Sequence, residues 1–438
     1  MTQLQKSLGP VMIWGLGVGY VISGMYFGWN LGLPKGGPYG MLVATAAVTI
    51  LYTAFVLGYA ELACALPRAG GAFVYTSRAF GPHLGFVGGA AQLVEYVLGP
   101  PAIAFAIGGY VNLLAPGVPV LVTAVAAYVV FTFVNIVGVR ISAAFELALA
   151  AIAVVELLVF GAVVLPHFSW ARFSADPLPH GWSGAFAALP FAIWFYLGIE
   201  GLGNVAEEAK RPQRDLPLGF LSAMATLVVL TAITLFGAVG AAGWQAIGYA
   251  ETDSPLPLAI RHVVSPDSPW FVLLTGIGLV GLVASFHGFL VAASRAILEL
   301  GRAGYAPRVV GEVNARTRTP VAALLANFAI GLVVLLTGKT QLIILVAVFG
   351  ALTLYLLSML AIIVLRRREP ALARPYRAPL YPVVPIVAIV LTSVCLVAMA
   401  WSYPWVATGY AGLIGLAWVL FLLFVPPDRR VTFDRGGA

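Results

Sequence analysis

Charged residues are scarce in this chain of 438 residues. Asp, Glu, Lys and Arg together make up 9% of it, against about a quarter in ordinary globular proteins. Hydrophobic residues reach 61% and occur in uninterrupted blocks rather than in amphipathic stripes. This composition excludes a soluble globule, a disordered chain and a secreted disulfide scaffold. The class that remains is a polytopic α-helical membrane protein.

Residues that would indicate redox, metal or nucleotide chemistry are also few. The two cysteines, Cys64 and Cys395, lie in apolar runs and are interpreted as small core residues. Four of the five histidines fall in loops, without a pair at metal-ligand spacing. The chain has no complete Gly-x4-Gly-Lys-Ser/Thr phosphate loop, which argues against transport driven by ATP. We therefore expect neither a cofactor nor a bound metal.

Twelve apolar runs are long enough to cross the hydrocarbon core of a bilayer, about 30 Å thick, as helices. Each contains few or no charged side chains, and the polar residues collect between them. We predict spans at 11–32, 40–66, 84–114, 118–138, 142–166, 183–206, 218–243, 269–299, 320–337, 340–365, 382–402 and 404–425.

The basic residues are distributed unevenly between the two sides of these spans. If the N-terminus is cytoplasmic, 20 of the 24 Lys and Arg residues fall in cytoplasmic segments, and four lie outside: Lys35, Arg172, Arg261 and Lys339. This is the positive-inside pattern, which predicts that both termini are cytoplasmic at the plasma (cell inner) membrane. The excess charge then faces anionic lipid headgroups, so the isoelectric point near 9.4 requires no nucleic-acid partner.

Two spans carry residues that interrupt a helix. Span one is rich in glycine over 15–28, and span six places Glu200 between glycines. A buried Glu is costly in a membrane unless the backbone opens around it. The two spans are five apart and enter from opposite sides, so repeats that link them must be inverted. Paired interruptions in inverted halves indicate a transport site at the midplane, although glycines also allow close helix packing.

Three loop motifs and two span motifs accompany the interrupted helices. They lie at 67–75, 207–217 and 294–307, with Glu95-Tyr96 before 100–104 and a Ser-Phe-His-Gly run at 285–288. In these residues the chain resembles the amino acid–polyamine–organocation (APC) superfamily over about residues 10–380. Within that superfamily it is most similar to the ethanolamine permeases.

The resemblance implies the leucine-transporter fold, with alternating access around spans one, three, six and eight. It places a first five-helix repeat at 11–166, with its broken helix at 22–28, and an inverted second repeat at 183–365, broken at 195–201. Two extra helices at 382–425 follow, and cytoplasmic segments occupy 1–10 and 426–438. Members carry amino acids or amines, often with protons, so a small solute and a coupling ion, H⁺ or Na⁺, are the expected partners. The sequence defines no oligomeric state.

The residue triplet in broken span one departs from the family pattern. Amino-acid carriers that it resembles usually show Gly-Ser-Gly there, and the open amides receive a carboxylate. The aligned triplet here is Ser23-Gly24-Met25. The Met25 side chain would crowd that site, which favours an amine without a carboxylate. The alternative is that Met25 points into the packing and leaves the amides usable.

Acidic residues within the spans also favour a cationic substrate. Glu95, Glu156 and Glu200 have no obvious basic partner in their apolar surroundings, and a carboxyl buried in this way can hold a coupling proton. We predict coupling or gating roles for Glu156 and Glu200. Glu156 could instead bind the substrate ammonium or a metal ion. Glu200 could instead form a hydrogen bond to unwound backbone. Glu95 is assigned to the substrate amine or to a helix–helix hydrogen bond, and Glu146 to an interfacial ion pair with Arg140.

Aromatic side chains on the same spans could hold an ammonium by cation–π attraction. Trp194, at the position of the family's gating aromatic, is the strongest of these candidates, and His287 is assigned a substrate contact, a proton relay or a helix–helix hydrogen bond. The predicted substrate site consists of Ile22, Ser23, Gly24, Met25, Tyr26, Glu95, Tyr96, Trp194, Phe195, Leu197, Gly198, Ser285 and His287.

The sequence therefore predicts a secondary transporter that imports a small primary amine such as ethanolamine. An amino-acid permease or antiporter of the same fold is the alternative. A membrane sensor or subunit without transport activity is a second alternative, although both broken helices keep their chemistry and the chain shows no signalling domain. An enzyme is not expected, because the acidic residues and His287 form no nucleophile–base arrangement.

Overall fold

The computed structural model describes residues 6–68, 70–137, 143–250, 254–265 and 267–430. Within these ranges the chain is helical and forms no β-strand, and a single isolated bridge pairs Leu8 with Ala209. The predicted fold class, an all-α multi-pass membrane protein, is confirmed. Predictions that concern residues 1–5, the end of the C-terminal tail and Arg140 lie outside the described residues.

The helices follow the apolar runs closely. In chain order they are α1 (Pro10–Val21), α2 (Ser23–Tyr26), α3 (Leu33–Ala65), α4 (Ala72–Phe80), α5 (Pro82–Leu114), α6 (Val120–Val137), α7 (Ala143–Val164), α8 (Trp170–Phe173), α9 (Gly181–Ile193), α10 (Pro212–Ala242), α11 (Trp244–Gly248), α12 (Pro255–Arg261), α13 (Pro269–Arg302), α14 (Val321–Leu335), α15 (Thr340–Arg368), α16 (Val383–Ser402) and α17 (Pro404–Phe424). Short 3₁₀ helices cover Trp29–Gly32, Leu165–His167, Ile199–Glu208, Arg308–Gly311 and Pro427–Arg429.

Nine helical segments of the described chain are long and apolar enough to cross a membrane. Three shorter apolar helices, Pro10–Tyr26, Gly181–Ile193 and Val321–Leu335, occupy the remaining predicted runs. The second span begins earlier than predicted, at Leu33, because Pro34 is well suited to the first turn of a helix. Gly37 then kinks this helix with a φ of 62°.

The core of the bundle is built by the helices of the two interrupted spans and their neighbours. Helix α1 packs against α7 and α10, α9 packs against α3, and α5 packs against both α13 and α15. Helix α17 lies at the periphery, and its large apolar side chains, such as Leu416, Leu423 and Phe424, are exposed. An exposed apolar face of this kind suits contact with lipid.

One end of the bundle, which we name the basic end, carries the start of α1 and the end of α15. Bidentate hydrogen bonds join Arg78 to Glu369 and Arg366 to Glu61 there, and Arg374 lies 3.5 Å from the same Glu61 carboxylate. Glu61 also accepts a hydrogen bond from the backbone N–H of Ala378. The segment between α15 and α16 is therefore fixed to the end of α3.

Candidate functional site

The first interrupted span changes direction between α1 and the 3₁₀ helix Trp29–Gly32. The chain extends at Phe27, and Gly28 adopts a φ of 87°. Upstream of this turn, Ser285 Oγ on α13 donates to the Tyr20 carbonyl at 2.6 Å and lies 2.8 Å from Ser23 Oγ. In a regular helix that carbonyl would accept from the N–H of Gly24. Ser285 therefore takes over the backbone acceptor beside the predicted site.

The second interrupted span breaks after α9. Helix α9 ends at Ile193, a turn follows, and Gly198 adopts a φ of 102° before the 3₁₀ helix Ile199–Glu208 begins. A positive φ of this size favours glycine. The Phe289 ring leaves no room for a side chain at Gly198 either, since a Cβ there would lie 2.9 Å from it. Backbone geometry and packing therefore both require glycine at this break.

The two breaks contact each other in the interior. A Cβ on Gly24 would overlap the carbonyl oxygen of Trp194, and Gly201 packs against the ring of Tyr20. Gly288 on α13 packs on the other side of the same ring. Most of the predicted substrate residues are thus brought together where α1, α2 and α13 meet the turn after α9.

Met25 is fully buried, and its sulfur accepts a hydrogen bond from the Thr231 hydroxyl on α10 at 3.6 Å. The side chain therefore packs against α10. This packing agrees with the alternative in which the amides of the first break stay usable. It therefore does not support the prediction that Met25 excludes a carboxylate.

Glu156 lies on α7 against the second piece of the first broken span. The Tyr26 hydroxyl donates to its Oε2 at 2.6 Å, and the Tyr110 hydroxyl donates to the Tyr26 carbonyl at 3.0 Å. No ion pair involves Glu156 among the described residues. The carboxyl thus joins α2 to α7, a contact that any gating motion of α2 would have to accommodate.

Glu95 and Glu200 form a pair of carboxyl groups beside the second break. They are close enough to interact electrostatically, and both are fully buried. Tyr355 on α15 donates to Glu200 Oε2 at 2.8 Å, and Tyr52 lies 3.0 Å from the Tyr355 hydroxyl. Within the described chain no donor reaches either oxygen of Glu95. A hydrogen bond between the carboxyls can form only when one of them is protonated.

The aromatic candidates line the junction of the two breaks. Trp194 is buried and lies edge-on to Phe27, with 5.5 Å between ring centroids. Its indole nitrogen has no hydrogen-bond partner in the described part of the chain. Phe195 stacks on Trp29 at 5.6 Å, and Leu197 is buried in the same turn. Trp194 therefore lies beside both interruptions.

Sequence reasoning missed Phe289, Tyr52 and Tyr355. Phe289 fills the space between Gly99, Gly198 and Tyr96, and the two tyrosines complete the surroundings of Glu200. A tyrosine among apolar residues has no local signal for such a role, because its partner lies far away in the chain.

Glu146, the predicted member of an interfacial ion pair, is buried by the packing of the helices. Glu146 is 3% exposed, and its Oε1 faces Gly19 on α1. The lack of a side chain at Gly19 leaves the room that this carboxyl occupies. Arg140, its predicted partner, lies outside the described residues. His287 is also buried, with its Nδ1 at 3.2 Å from Asn135 Nδ2.

Two cavities lie on opposite sides of the breaks. The larger, about 710 Å³, opens away from the basic end and is lined by Leu31, by α5 and by residues 338–342. The smaller, about 120 Å³, lies on the side of the basic end and includes Tyr20, Glu146 and His287. The central residues of the two breaks therefore separate one cavity from the other.

A multi-pass helical bundle with two interrupted helices in contact at its centre, and a cavity on each side, defines a membrane solute transporter. The chain belongs to the amino acid permease family, whose model matches residues 8–433. The predicted resemblance to the APC superfamily is thereby confirmed at the level of the superfamily.

Curated relatives cover nearly the whole chain. An uncharacterized transporter of Rhizobium meliloti is 31% identical over 414 residues, which are 92% of this chain and 88% of the relative. The branched-chain amino acid permease BcaP of Bacillus subtilis is 27% identical, covering 91% and 89% of the two chains. A methylthioribose transporter of the same organism is 25% identical, covering 90% and 87%. The relatives are transporters, and the solutes named for them differ.

Proposed function

We propose that this protein is a secondary active transporter that imports a small solute bearing a primary amine. The carboxyl pair of Glu95 and Glu200 is the observation that carries the proposal. Both groups are buried beside the second break, and neither has an ion-pair partner among the described residues. A primary ammonium would supply the positive charge that the pair lacks and hydrogen-bond donors for both oxygens of Glu95 and for Glu200 Oε1.

An amine without a carboxylate, such as ethanolamine, is the first candidate. The acidic pair and the aromatic residues around it provide recognition for an ammonium group, and Trp194 could add cation–π attraction of about 0.5–2 kcal/mol. No Lys or Arg belongs to the described junction of the breaks, so a carboxylate would depend on backbone N–H groups alone.

A neutral amino acid is the second candidate. The contact between Met25 and Thr231 favours it, because the Met25 side chain packs toward α10. The hydrogen bond from Ser285 to the Tyr20 carbonyl also supports a neutral amino acid. Because Ser285 occupies that acceptor, the N–H of Gly24 has to compete for it and could bind a substrate carboxylate instead. The relative in Bacillus subtilis that is named as a branched-chain amino acid permease points in the same direction.

The proposal includes a mechanism and an orientation. The repeats at 11–166 and 183–365 would be inverted copies that alternate access to the junction of the breaks, and the helices at 382–425 would lie outside them. Glu156 and Glu200 would contribute to coupling or gating, with H⁺ as the coupling ion and Na⁺ as the alternative. The basic end would face the cytoplasm at the inner membrane, in agreement with the positive-inside pattern.

Uptake into liposomes tests the proposal. Purified protein would be reconstituted, and uptake of labelled ethanolamine and labelled alanine would be measured with and without an inward proton gradient. Ethanolamine uptake that is stimulated by the gradient and competed by small amines, not by alanine or arginine, supports the first candidate. Alanine uptake without ethanolamine uptake supports the second. Transport of neither, nor of any other amine-bearing solute, contradicts the proposal.

A matched pair of variants tests the role of the carboxyl pair. Glu200→Gln should lower uptake at least about tenfold, which corresponds to roughly 1.4 kcal/mol of lost interaction. Glu312→Gln, an exposed residue in the loop after α13, is the control and should transport like the wild type. Equal uptake by both variants would remove the carboxyl pair from the mechanism.

A further inference from the structure

The smaller cavity contains polar side chains outside the Glu95–Glu200 pair, and one of them, His287, belongs to the predicted substrate site. It lies between α1, α7, α13 and the 3₁₀ helix Ile199–Glu208, and its volume of about 120 Å³ has room for a few water molecules. Each of these four elements contributes a titratable or charged group. These groups are Tyr20 on α1, Glu146 on α7, Glu208 on the 3₁₀ helix, and His287 and Arg295 on α13.

Glu146 is the buried acid of this cavity. It is 3% exposed, and its Oε1 has no hydrogen-bond partner among the described residues. By contrast, Glu156 on the same helix accepts a hydrogen bond from Tyr26. A carboxylate without donors is costly inside a protein, and it is stabilised either by a proton or by a cation.

His287 provides a second proton-binding group in the cavity. Asn135 Nδ2 lies 3.2 Å from its Nδ1. If the amide donates there, the neutral ring carries its proton on Nε2. The residue therefore combines a fixed ring orientation with the ability to take up or release a proton.

An ion pair lies at the outer side of the cavity. Arg295 on α13 approaches Glu208 on the 3₁₀ helix to 3.0 Å, and their side chains are 29% and 19% exposed. The pair joins a helix of the second broken span to α13. Its opening would connect the cavity with solution at the basic end.

A proton fits these groups better than a metal ion. Hard cations such as Ca²⁺ require six or more oxygen ligands, whereas the cavity offers Glu146 and the already paired Glu208. The described residues include no group of three His, Cys, Asp or Glu side chains that could hold a metal ion. The positive charge of Arg295 nearby also disfavours a second fixed cation.

We propose that Glu146 and His287 form a proton-binding site that exchanges with solution at the basic end when the Arg295–Glu208 ion pair opens. This inference rests on the proposed function, and it adds a coupling site that is separate from the Glu95–Glu200 pair. It also moves the coupling role on α7 from Glu156 to Glu146, because Glu146 faces the cavity while Glu156 is held by Tyr26.

Transport assays of Glu146→Gln separate this site from the substrate site. Exchange of labelled for unlabelled substrate across the liposome membrane requires the substrate site but no net proton movement. We expect Glu146→Gln to keep this exchange within about twofold of wild type and to lose accumulation driven by the proton gradient at least about tenfold. Glu312→Gln is the matched control and should keep both activities. Normal accumulation by Glu146→Gln would overturn the proposal.

Infrared spectroscopy tests the site without relying on transport. The reconstituted wild type should show a protonated-carboxyl band that disappears as pH rises. The band should be missing in Glu146→Gln, and its midpoint should shift in His287→Gln. Should Glu146→Gln fail to fold, Glu146→Asp keeps an ionisable group and must shift the same midpoint. A band that is identical in all folded variants overturns the proposal. If the wild type shows no substrate exchange, that result would contradict the proposed function instead.

Discussion

At the scale of single residues, the site depends on positions where a larger or smaller group would change the backbone. Ser285 contributes one hydroxyl, yet it takes an acceptor from the first broken span. Gly198 contributes no side chain, yet its φ of 102° lets the second span turn beside Phe289. At both positions the side-chain chemistry acts through the main chain.

Gly198→Ala tests this dependence. An alanine would have to adopt the left-handed region, which costs about 1–2 kcal/mol, and its Cβ would crowd Phe289, with an overpacking cost of about 1–3 kcal/mol. We expect a lower thermal unfolding temperature in detergent and at least about tenfold slower uptake. Gly412→Ala on α17 is the control, because nothing lies within 4 Å of its Cβ position. Similar unfolding temperatures for the two variants would contradict this account.

At the scale of helices, Glu61 joins elements that are distant in sequence. Its carboxylate, 1% exposed, contacts Arg366 at the end of α15 and Arg374 in the following segment. Arg366 also stacks over the Tyr381 ring at 3.9 Å. A buried carboxylate with two guanidinium partners fixes the distance between α3 and α15 at the basic end.

Glu61→Gln should destabilise the bundle by up to about 3 kcal/mol, because it removes the counter-charge of two partly buried guanidinium groups. The measurement is thermal unfolding of the purified protein in detergent. Glu299→Gln provides the comparison, since Glu299 pairs with the partly exposed Arg302 one turn away, and such pairs contribute about 0.2–1 kcal/mol. The prediction fails if the two variants unfold at the same temperature.

At the scale of the whole molecule, the amino acid permease family and the arrangement of helices agree on a multi-pass transporter. The unequal distribution of basic residues distinguishes the two ends of the bundle, because the ion pairs of Glu61, Glu208 and Glu369 all lie at the basic end. The larger cavity opens at the opposite end. An amine-bearing solute would thus meet this cavity first if the basic end faces the cytoplasm.

Cysteine labelling in intact cells tests that orientation. Cys64 and Cys395 are buried, so they should react little with a membrane-impermeant maleimide. We expect Lys339→Cys to be labelled from outside and Glu312→Cys to be labelled only after the membrane is opened, because the two exposed positions lie at opposite ends of the bundle. Labelling of Glu312→Cys in intact cells would reverse the orientation.

Much of the architecture was predictable from the chain alone. Apolar runs must become helices in a bilayer, because backbone groups have no water to bond with there. The predicted runs therefore correspond to the observed helices. Glycines marked the first interrupted span, and glycines on either side of Glu200 marked the second. Helix ends were less predictable: α3 begins at Leu33 because Pro34 suits a first helical turn.

The arrangement of side chains was decided by the tertiary structure. The sequence predicted separate roles for Glu95 and Glu200. In the structure, Gln92 and Tyr96 on α5 contact Asn204 after the second break, and this packing places the two carboxyls together. Local sequence could suggest only an ion pair for Glu146, whereas the packing of α7 against Gly19 on α1 buries its carboxyl inside the bundle. Local composition determines whether a segment crosses the membrane, because that depends on transfer of each residue from water. Which side chains meet depends on how distant helices pack. For that reason only the tertiary structure revealed the carboxyl pair and the smaller cavity beside Glu146.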